Sequence, residues 1–233
     1  LYLNSETLST QSNTTSASTY TVSFYGTGTI TFSGTHTGTL VGTAADERVS
    51  VTFTTTSGTL TSTISGTCTK GQLENLSYPT SYIPSSGASS TRLQDIANNS
   101  GNSSLINSTE GVLYAEIAAL ANDGSNRVIR ISDGGGNTNA AEIRYAPDGN
   151  LYYDIWAGGV SQFSEYSTSF VNTDEHKIAI KYKENDFALW INGVEIATDT
   201  SGVTFSANTL NDLSFSRGLI FNFHAKAKAL AVF

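Results

Sequence analysis

Apolar residues alternate with hydroxyl side chains in the first part of the chain. Val22 and Phe24 are separated by one serine, and Ile30 and Phe32 by one threonine. A period of two is typical of a β-strand with one face on a core and the other in water. The pattern predicts five short strands, separated by turns that contain glycine, at 20–25, 28–33, 38–42, 48–55 and 59–65. Strands of this kind form an antiparallel sandwich.

The same alternation predicts a second group of strands in the remainder of the chain. These nine strands are expected at 111–118, 127–132, 140–146, 150–156, 176–182, 186–192, 194–198, 210–216 and 225–233. Between them lie turn signals such as Asn192-Gly193. Residues 115–121 also suit a short helix by propensity, but their alternation favours a strand. No strand-helix-strand repeat occurs, so the predicted fold class is all-β, with two antiparallel, jelly-roll-like sandwiches.

Composition predicts the boundary between the two sandwiches along the chain. Residues 1–70 hold 22 threonines and 11 serines, and very few charges. Residues 77–109 contain two prolines and many serines and asparagines, which is typical of a connector. Beyond that stretch the composition is ordinary and acidic. We therefore predict a Thr/Gly-rich sandwich at 1–76, a connector at 77–109 and a second sandwich at 110–233.

Charge, cysteine content and hydropathy exclude several classes of protein. The 233 residues hold 12 Lys and Arg against 20 Asp and Glu, a net charge of −8, which argues against nucleic-acid binding. Cys68 has no intrachain partner, and zinc-binding Cys/His spacings are missing. Without an apolar run of 18 residues or a leader, no membrane insertion is expected. Methionine is absent even at position 1, so we expect the natural start to lie upstream.

Enzymatic chemistry has weak support in the sequence. A serine nucleophile needs a histidine base, and three histidines exist, but no Gly-x-Ser-x-Gly motif accompanies them. The nearest grouping of carboxylates is Glu142 with Asp148 and Asp154, which falls across turns and different strands. Surface acids are the more common explanation of such a grouping. We therefore expect no enzyme and no catalytic residue.

The strongest candidate site is a glycan-binding trio on one predicted strand. Tyr152, Asp154 and Trp156 share one face of that strand, so two aromatic rings flank a carboxylate. Sugars bind by stacking on aromatic rings and by hydrogen bonds to a few polar groups. The alternative is that Trp156 packs in the core or against another subunit.

Two further candidates are weaker. Trp190 with Asn192 is a lesser aromatic candidate for a sugar site. Asp133 with Asn137, in a glycine-rich loop, supplies fewer oxygens than Ca²⁺ needs, so a turn is favoured. Neither a metal site nor a cofactor is predicted.

Three segments carry a resemblance to known families. The first is HKIAIKYKENDFALWINGVEIATD at 176–199, which resembles concanavalin A-like, laminin-G-type lectin and glucanase domains. The others are STYTVSFYGTGTITFSGTHTGTLVG at 18–42 and QLENLSYPTSYIPSSGASSTR at 72–92, which together resemble a module pair of tailed-bacteriophage virion proteins. Glucanases of the first family carry a Glu-x-Asp-x-x-Glu strand, which this sequence lacks.

The resemblance implies a phage virion surface protein of tail-fibre or head-surface type. Its expected partners are other virion subunits, further copies of itself with a trimer favoured, and a host surface polysaccharide. Its expected location is the extracellular face of the virion. Two alternatives stay open: a capsid decoration protein without glycan binding, and a secreted glycan hydrolase or carbohydrate-binding module.

Overall fold

The structure is a computed structural model that describes residues 2–91, 100–168, 171–218 and 220–233. The chain divides into two compact units, Leu1–Gln94 and Asp95–Phe233. Throughout the described residues the regular elements are β-strands, and the strands pair antiparallel. The predicted all-β class with two antiparallel sandwiches is therefore confirmed. In these described ranges, no helix is long and apolar enough to cross a membrane.

The first unit contains a four-stranded and a three-stranded sheet. Its strands are β1 (Gln11–Thr15), β2 (Thr19–Tyr25), β3 (Thr29–Gly34), β4 (Gly38–Val41), β5 (Arg48–Thr54), β6 (Gly58–Ser65) and β7 (Thr69–Glu74). The sheet orders are β1-β6-β3-β4 and β5-β2-β7. All five predicted strands are present, within one residue at each end. Strands β1 and β7 were not predicted because their sequences, QSNTT and TKGQLE, lack a regular apolar period.

The apolar positions of these strands form the core of the first unit. Its fully buried residues include Val22, Phe24, Ile30, Leu60 and Leu73. The threonines and serines that alternate with the core residues on β3 and β6 lie mostly on the other face. Burial of the apolar face is thus the main stabilising term of a unit that has few charges.

Both ends of the predicted connector at 77–109 pack on the units that flank it. At one end, the backbone N–H of Ser85 donates to Ser5 Oγ at 2.7 Å, within the first unit. At the other end, Ile106 is buried in the core of the second unit. Residues 92–99 lie outside the described residues. Among the described residues, both ends of 77–109 therefore contact the unit beside them.

Limited trypsin digestion is expected to cut first after Arg92. This residue is the only Lys or Arg in 77–109, the stretch predicted to connect the two units. Mass spectrometry should detect the fragments 1–92 and 93–233 before any others. Arg92→Gln is the matched control and should slow the first cut. A first cut after Lys70, inside the first unit, would contradict two independently folded units.

The second unit contains two five-stranded sheets. Its strands are β8 (Glu110–Ala119), β9 (Arg127–Ser132), β10 (Ala140–Tyr145), β11 (Leu151–Ala157), β12 (Val160–Ser167), β13 (His176–Lys183), β14 (Phe187–Ile191), β15 (Val194–Asp199), β16 (Asp212–Ser214) and β17 (Ala225–Val232). The sheet orders are β12-β11-β10-β9-β16 and β15-β14-β13-β8-β17. All nine predicted strands are present, and β12 is the addition. Residues 115–119 belong to β8, so the strand prediction for that segment is confirmed.

The core of the second unit lies between the inward faces of its sheets. Strand β13 contributes Ile178, Ile180 and Tyr182, as its alternation predicts. The turn between β14 and β15 has φ of 51° at Asn192 and 82° at Gly193. Positive φ at both positions is what a two-residue hairpin needs. The outward faces of both sheets lie opposite this core.

Candidate functional site

Strand β11 holds the three predicted site residues on the face opposite the core. Tyr152 and Trp156 are half-buried, and Asp154 lies between them. The intervening residues all belong to the hydrophobic core: Leu151, Tyr153 and Ile155. Because Trp156 lies on the outward face, the structure does not support the alternative in which it packs in the core.

Neighbouring strands continue this face with charged and polar side chains. Asp154 is paired with Ser164 of β12 on one side and with Glu142 of β10 on the other. Glu142 is paired in turn with Arg130 of β9. Cross-strand partners in an antiparallel sheet lie on the same face. Ser164, Asp154, Glu142 and Arg130 therefore form one line across the sheet, which we call the polar row.

Three guanidinium groups converge on the carboxylate of Glu142, which is 0% exposed. Arg217, from the segment after β16, donates from Nε to Oε2 at 3.0 Å and from Nη2 to Oε1. The Nε of Arg144 lies 3.5 Å from Oε1, and the Nη1 of Arg130 lies 3.8 Å from Oε2. A two-point pair of this kind fixes the plane of the Arg217 guanidinium.

Asp154 is buried, at 4% exposure. Its carboxylate therefore does not face solvent, as a carboxylate that contacts a ligand would. Its Oδ1 accepts from Ser164 Oγ at 2.7 Å, and its Oδ2 lies 3.7 Å from Arg144 Nη2. Burial raises the pKa of Asp154, and the hydrogen bond from Ser164 opposes that rise. The carboxylate therefore orients Arg144.

Arg130 has donors that the described residues leave unmatched. Its side chain is 1% exposed, and its Nη2 donates to the carbonyls of Gly135, at 3.2 Å, and Gly136. No hydrogen-bond acceptor in the described part of the chain meets its Nε or Nη1, or the Nε of Arg144. Burial lowers the pKa of Arg130, since desolvation disfavours its charge. The face thus holds more donors than its own carboxylates use.

The two half-buried aromatic rings of β11 each lie beside a guanidinium group. The Cζ of Arg144 is 4.5 Å from the ring centroid of Tyr152. The Cζ of Arg217 is 5.8 Å from the ring centroid of Trp156. Both distances fall within the range of a cation–π interaction. Each arginine is thus held between a carboxylate and an aromatic ring.

The lesser candidates from the sequence lie elsewhere. Trp190 is on β14, in the other sheet of the second unit. Asp133 accepts from the N–H of Gly135 at 3.0 Å and from Asn139 Nδ2 at 2.9 Å, as a turn residue does. Among the described residues, no group of three or more His, Cys, Asp or Glu side chains is arranged to hold a metal ion.

Sequence reasoning missed the roles of Arg144, Glu142 and Arg217 at this face. The first two have the parity that puts them beside the trio, so pairing β10 with β11 in the right register would have found them. Arg217 lies outside any strand and reaches the face through a loop. No periodic signal marks a residue of that kind.

No protein-family model and no curated protein matches this chain. Solved structures that resemble it include sheep galectin-11 in complex with glycerol, with 11% identity, a TM-score of 0.40, and coverage of 61% of this chain and 100% of the galectin. The CBM40 module of the Ruminococcus gnavus IT-sialidase, bound to α2,3-sialyllactose, has 13% identity, a TM-score of 0.44, and coverage of 54% and 76%. The carbohydrate-binding module CBM66 of Bacillus subtilis has 7% identity, a TM-score of 0.39, and the same two coverages.

Proposed function

We propose that the second unit binds a neutral glycan on the outward face of the β12-β11-β10-β9-β16 sheet. The observation that carries the proposal is that half-buried Trp156 lies beside Arg217 and half-buried Tyr152 lies beside Arg144, and that Glu142 contacts both arginines. An aromatic ring stacks on the C–H face of a sugar, and oriented guanidinium groups donate to its hydroxyls. Arginines that are ordered before binding lose little conformational freedom when a ligand arrives.

The balance of charge favours hydroxyl groups over an ionised ligand. Three guanidinium groups, of Arg130, Arg144 and Arg217, share this face with Glu142 and Asp154. Asp212 adds a third carboxylate at the β16 edge, 3.5 Å from Ser132 Oγ. These six charges sum to zero. A hydroxyl both donates and accepts, so it suits a face with both kinds of partner.

The geometry favours binding without hydrolysis. Glycosidases use one carboxyl as a proton donor and a second as nucleophile or base, on either side of the scissile bond. Glu142 is fully buried and bonded to Arg217, and Asp154 is buried beneath its own partners. Neither is free to reach a glycosidic oxygen. A secreted hydrolase is therefore the weaker alternative.

We propose further that this module is part of a tailed-phage virion surface protein. The resemblance of residues 18–42 and 72–92 to virion modules supports this role, with an extracellular location and a trimer of copies. The Thr-rich, nearly uncharged strands of the first unit are suited to burial against copies of the chain. The location of the protein in a reconstructed particle tests the role. A tail tip would favour attachment to a host glycan, and a capsid lattice would favour decoration.

Trp156→Ala is expected to abolish the signal on an array of bacterial envelope oligosaccharides. Loss of one stacking contact costs about 1 kcal/mol, which is enough to take a weak site below detection. Multivalent display of the protein raises the wild-type signal. Trp190→Ala, on the other sheet, is the matched control and should bind as the wild type does. If Trp156→Ala binds as well as Trp190→Ala does, and the far-UV circular dichroism of both variants is unchanged, the site lies elsewhere.

A further inference from the structure

An exposed tyrosine stands beside the proposed site, on the edge strand β12. Tyr166 is 58% exposed, and its cross-strand partner is Tyr152 of β11. The two ring centroids lie 5.5 Å apart, with an angle of 24° between the ring planes. An exposed aromatic ring that is stacked in this way leaves its outer surface open to a ligand.

The ring of Tyr152 is itself held from two directions. Its hydroxyl donates to Asp148 Oδ2 at 2.8 Å. Arg144 is its partner on β10, so Arg144, Tyr152 and Tyr166 follow one another across three strands. We call these three residues the aromatic row. Because each member stacks on the next, Tyr166 is supported before any ligand binds.

The aromatic row and Trp156 lie on opposite sides of the polar row. Tyr152 and Trp156 are four residues apart on β11, which corresponds to about 14 Å because an antiparallel strand rises about 3.4 Å per residue. Asp154 and its cross-strand partners Ser164 and Glu142 lie between them. A single sugar ring that stacks on Trp156 does not reach across this gap to Tyr166.

We propose that the face binds an extended oligosaccharide chain, with one sugar on Trp156 and a second, non-adjacent sugar on Tyr166. The sugars between them lie over the polar row, where Arg144 and Arg217 donate to their hydroxyls. This inference rests on the proposed function and adds the length of the ligand to it. Tyr166 is then a specificity-determining residue, which favours long chains over short ones.

A length series of fragments tests this proposal. The probes are the one-, two-, three- and four-sugar fragments of each array-positive oligosaccharide, and binding is measured by titration calorimetry. Affinity should rise until the fragment reaches both aromatic surfaces. Tyr166→Ala should then weaken binding of the longest fragment about three- to tenfold and leave the single sugar unchanged. Tyr166→Phe keeps the ring and should bind as the wild type does.

The possible failures can be told apart. If the longest fragment binds Tyr166→Ala as tightly as the wild type, the extended site is wrong while the glycan site at Trp156 stands. If a single sugar binds the wild type as tightly as the four-sugar fragment does, the extended site is likewise wrong and the glycan site at Trp156 stands. If no array oligosaccharide binds the wild type, the proposed function and this inference fail together. Because Tyr166 is exposed, its substitution is expected to leave the tryptophan fluorescence of the folded protein unchanged.

Discussion

Glu142→Gln is expected to lower the free energy of unfolding of the second unit by about 3–5 kcal/mol, the usual cost of breaking a buried ion pair from one side. The substitution keeps the size of the side chain but removes the charge that offsets Arg130 and Arg217. Arg130 is almost fully buried, and its remaining contacts include two neutral carbonyls. An uncompensated buried charge is the reason for the large cost.

Tryptophan fluorescence in a urea titration measures this loss. Both tryptophans, Trp156 and Trp190, lie in the second unit, so the signal reports that unit alone. The midpoint should shift to lower urea with little change in slope. Glu195→Gln removes an exposed carboxylate on β15 and should leave the midpoint unchanged. If both variants unfold at the wild-type midpoint, the buried carboxylate does not stabilise the fold.

Leu60→Ala is expected to destabilise the first unit by about 2–5 kcal/mol, the usual cost of a large cavity in a core. Leu60 is fully buried, on the β6 strand of the four-stranded sheet. If the two units fold independently, the second unit should not sense this change. Hydrogen exchange followed by mass spectrometry resolves the two responses, since each peptide is assigned to one unit.

Leu113→Ala is the matched variant in the second unit, where the same side chain is fully buried on β8. It should accelerate exchange in peptides from 110–119 and 176–183, and leave peptides from 48–65 at the wild-type rate. Leu60→Ala should show the reverse. If either variant accelerates exchange equally in both units, they unfold as one cooperative body, which contradicts the proposed independence.

The predicted strands were close to the observed ones because most of them pair one apolar face with one polar face. Strand β3 is an example, in which Ile30 and Phe32 are buried and Thr31 and Ser33 are exposed. The strands that were not predicted lack this alternation of apolar and polar residues. Strand β12 has the sequence VSQFSEYS, and Phe163 is its only buried residue. The strand is little buried because it forms one edge of its sheet. Sequence alternation is weak where the burial that causes it is small.

The candidate site was predicted in part for the same reason. Tyr152, Asp154 and Trp156 share one face because side chains alternate along a strand, and this alternation is visible in the sequence. The residues that surround Asp154 could not be predicted from that alternation. Ser164 and Arg144 cover that carboxylate, and they come from two different strands.

The sequence by itself determined the fold class, most of the strands and the shared face of the trio, because each depends on residues that are neighbours along one strand. Only the tertiary structure decided which charges meet on that face. The convergence of Arg130, Arg144 and Arg217 on Glu142 joins positions 75 residues apart in the chain. It depends on the register of β9 against β10 and on the path of the loop after β16. Such pairings depend on which strands become neighbours and on where the loops between them run, and the period of a single strand does not determine either.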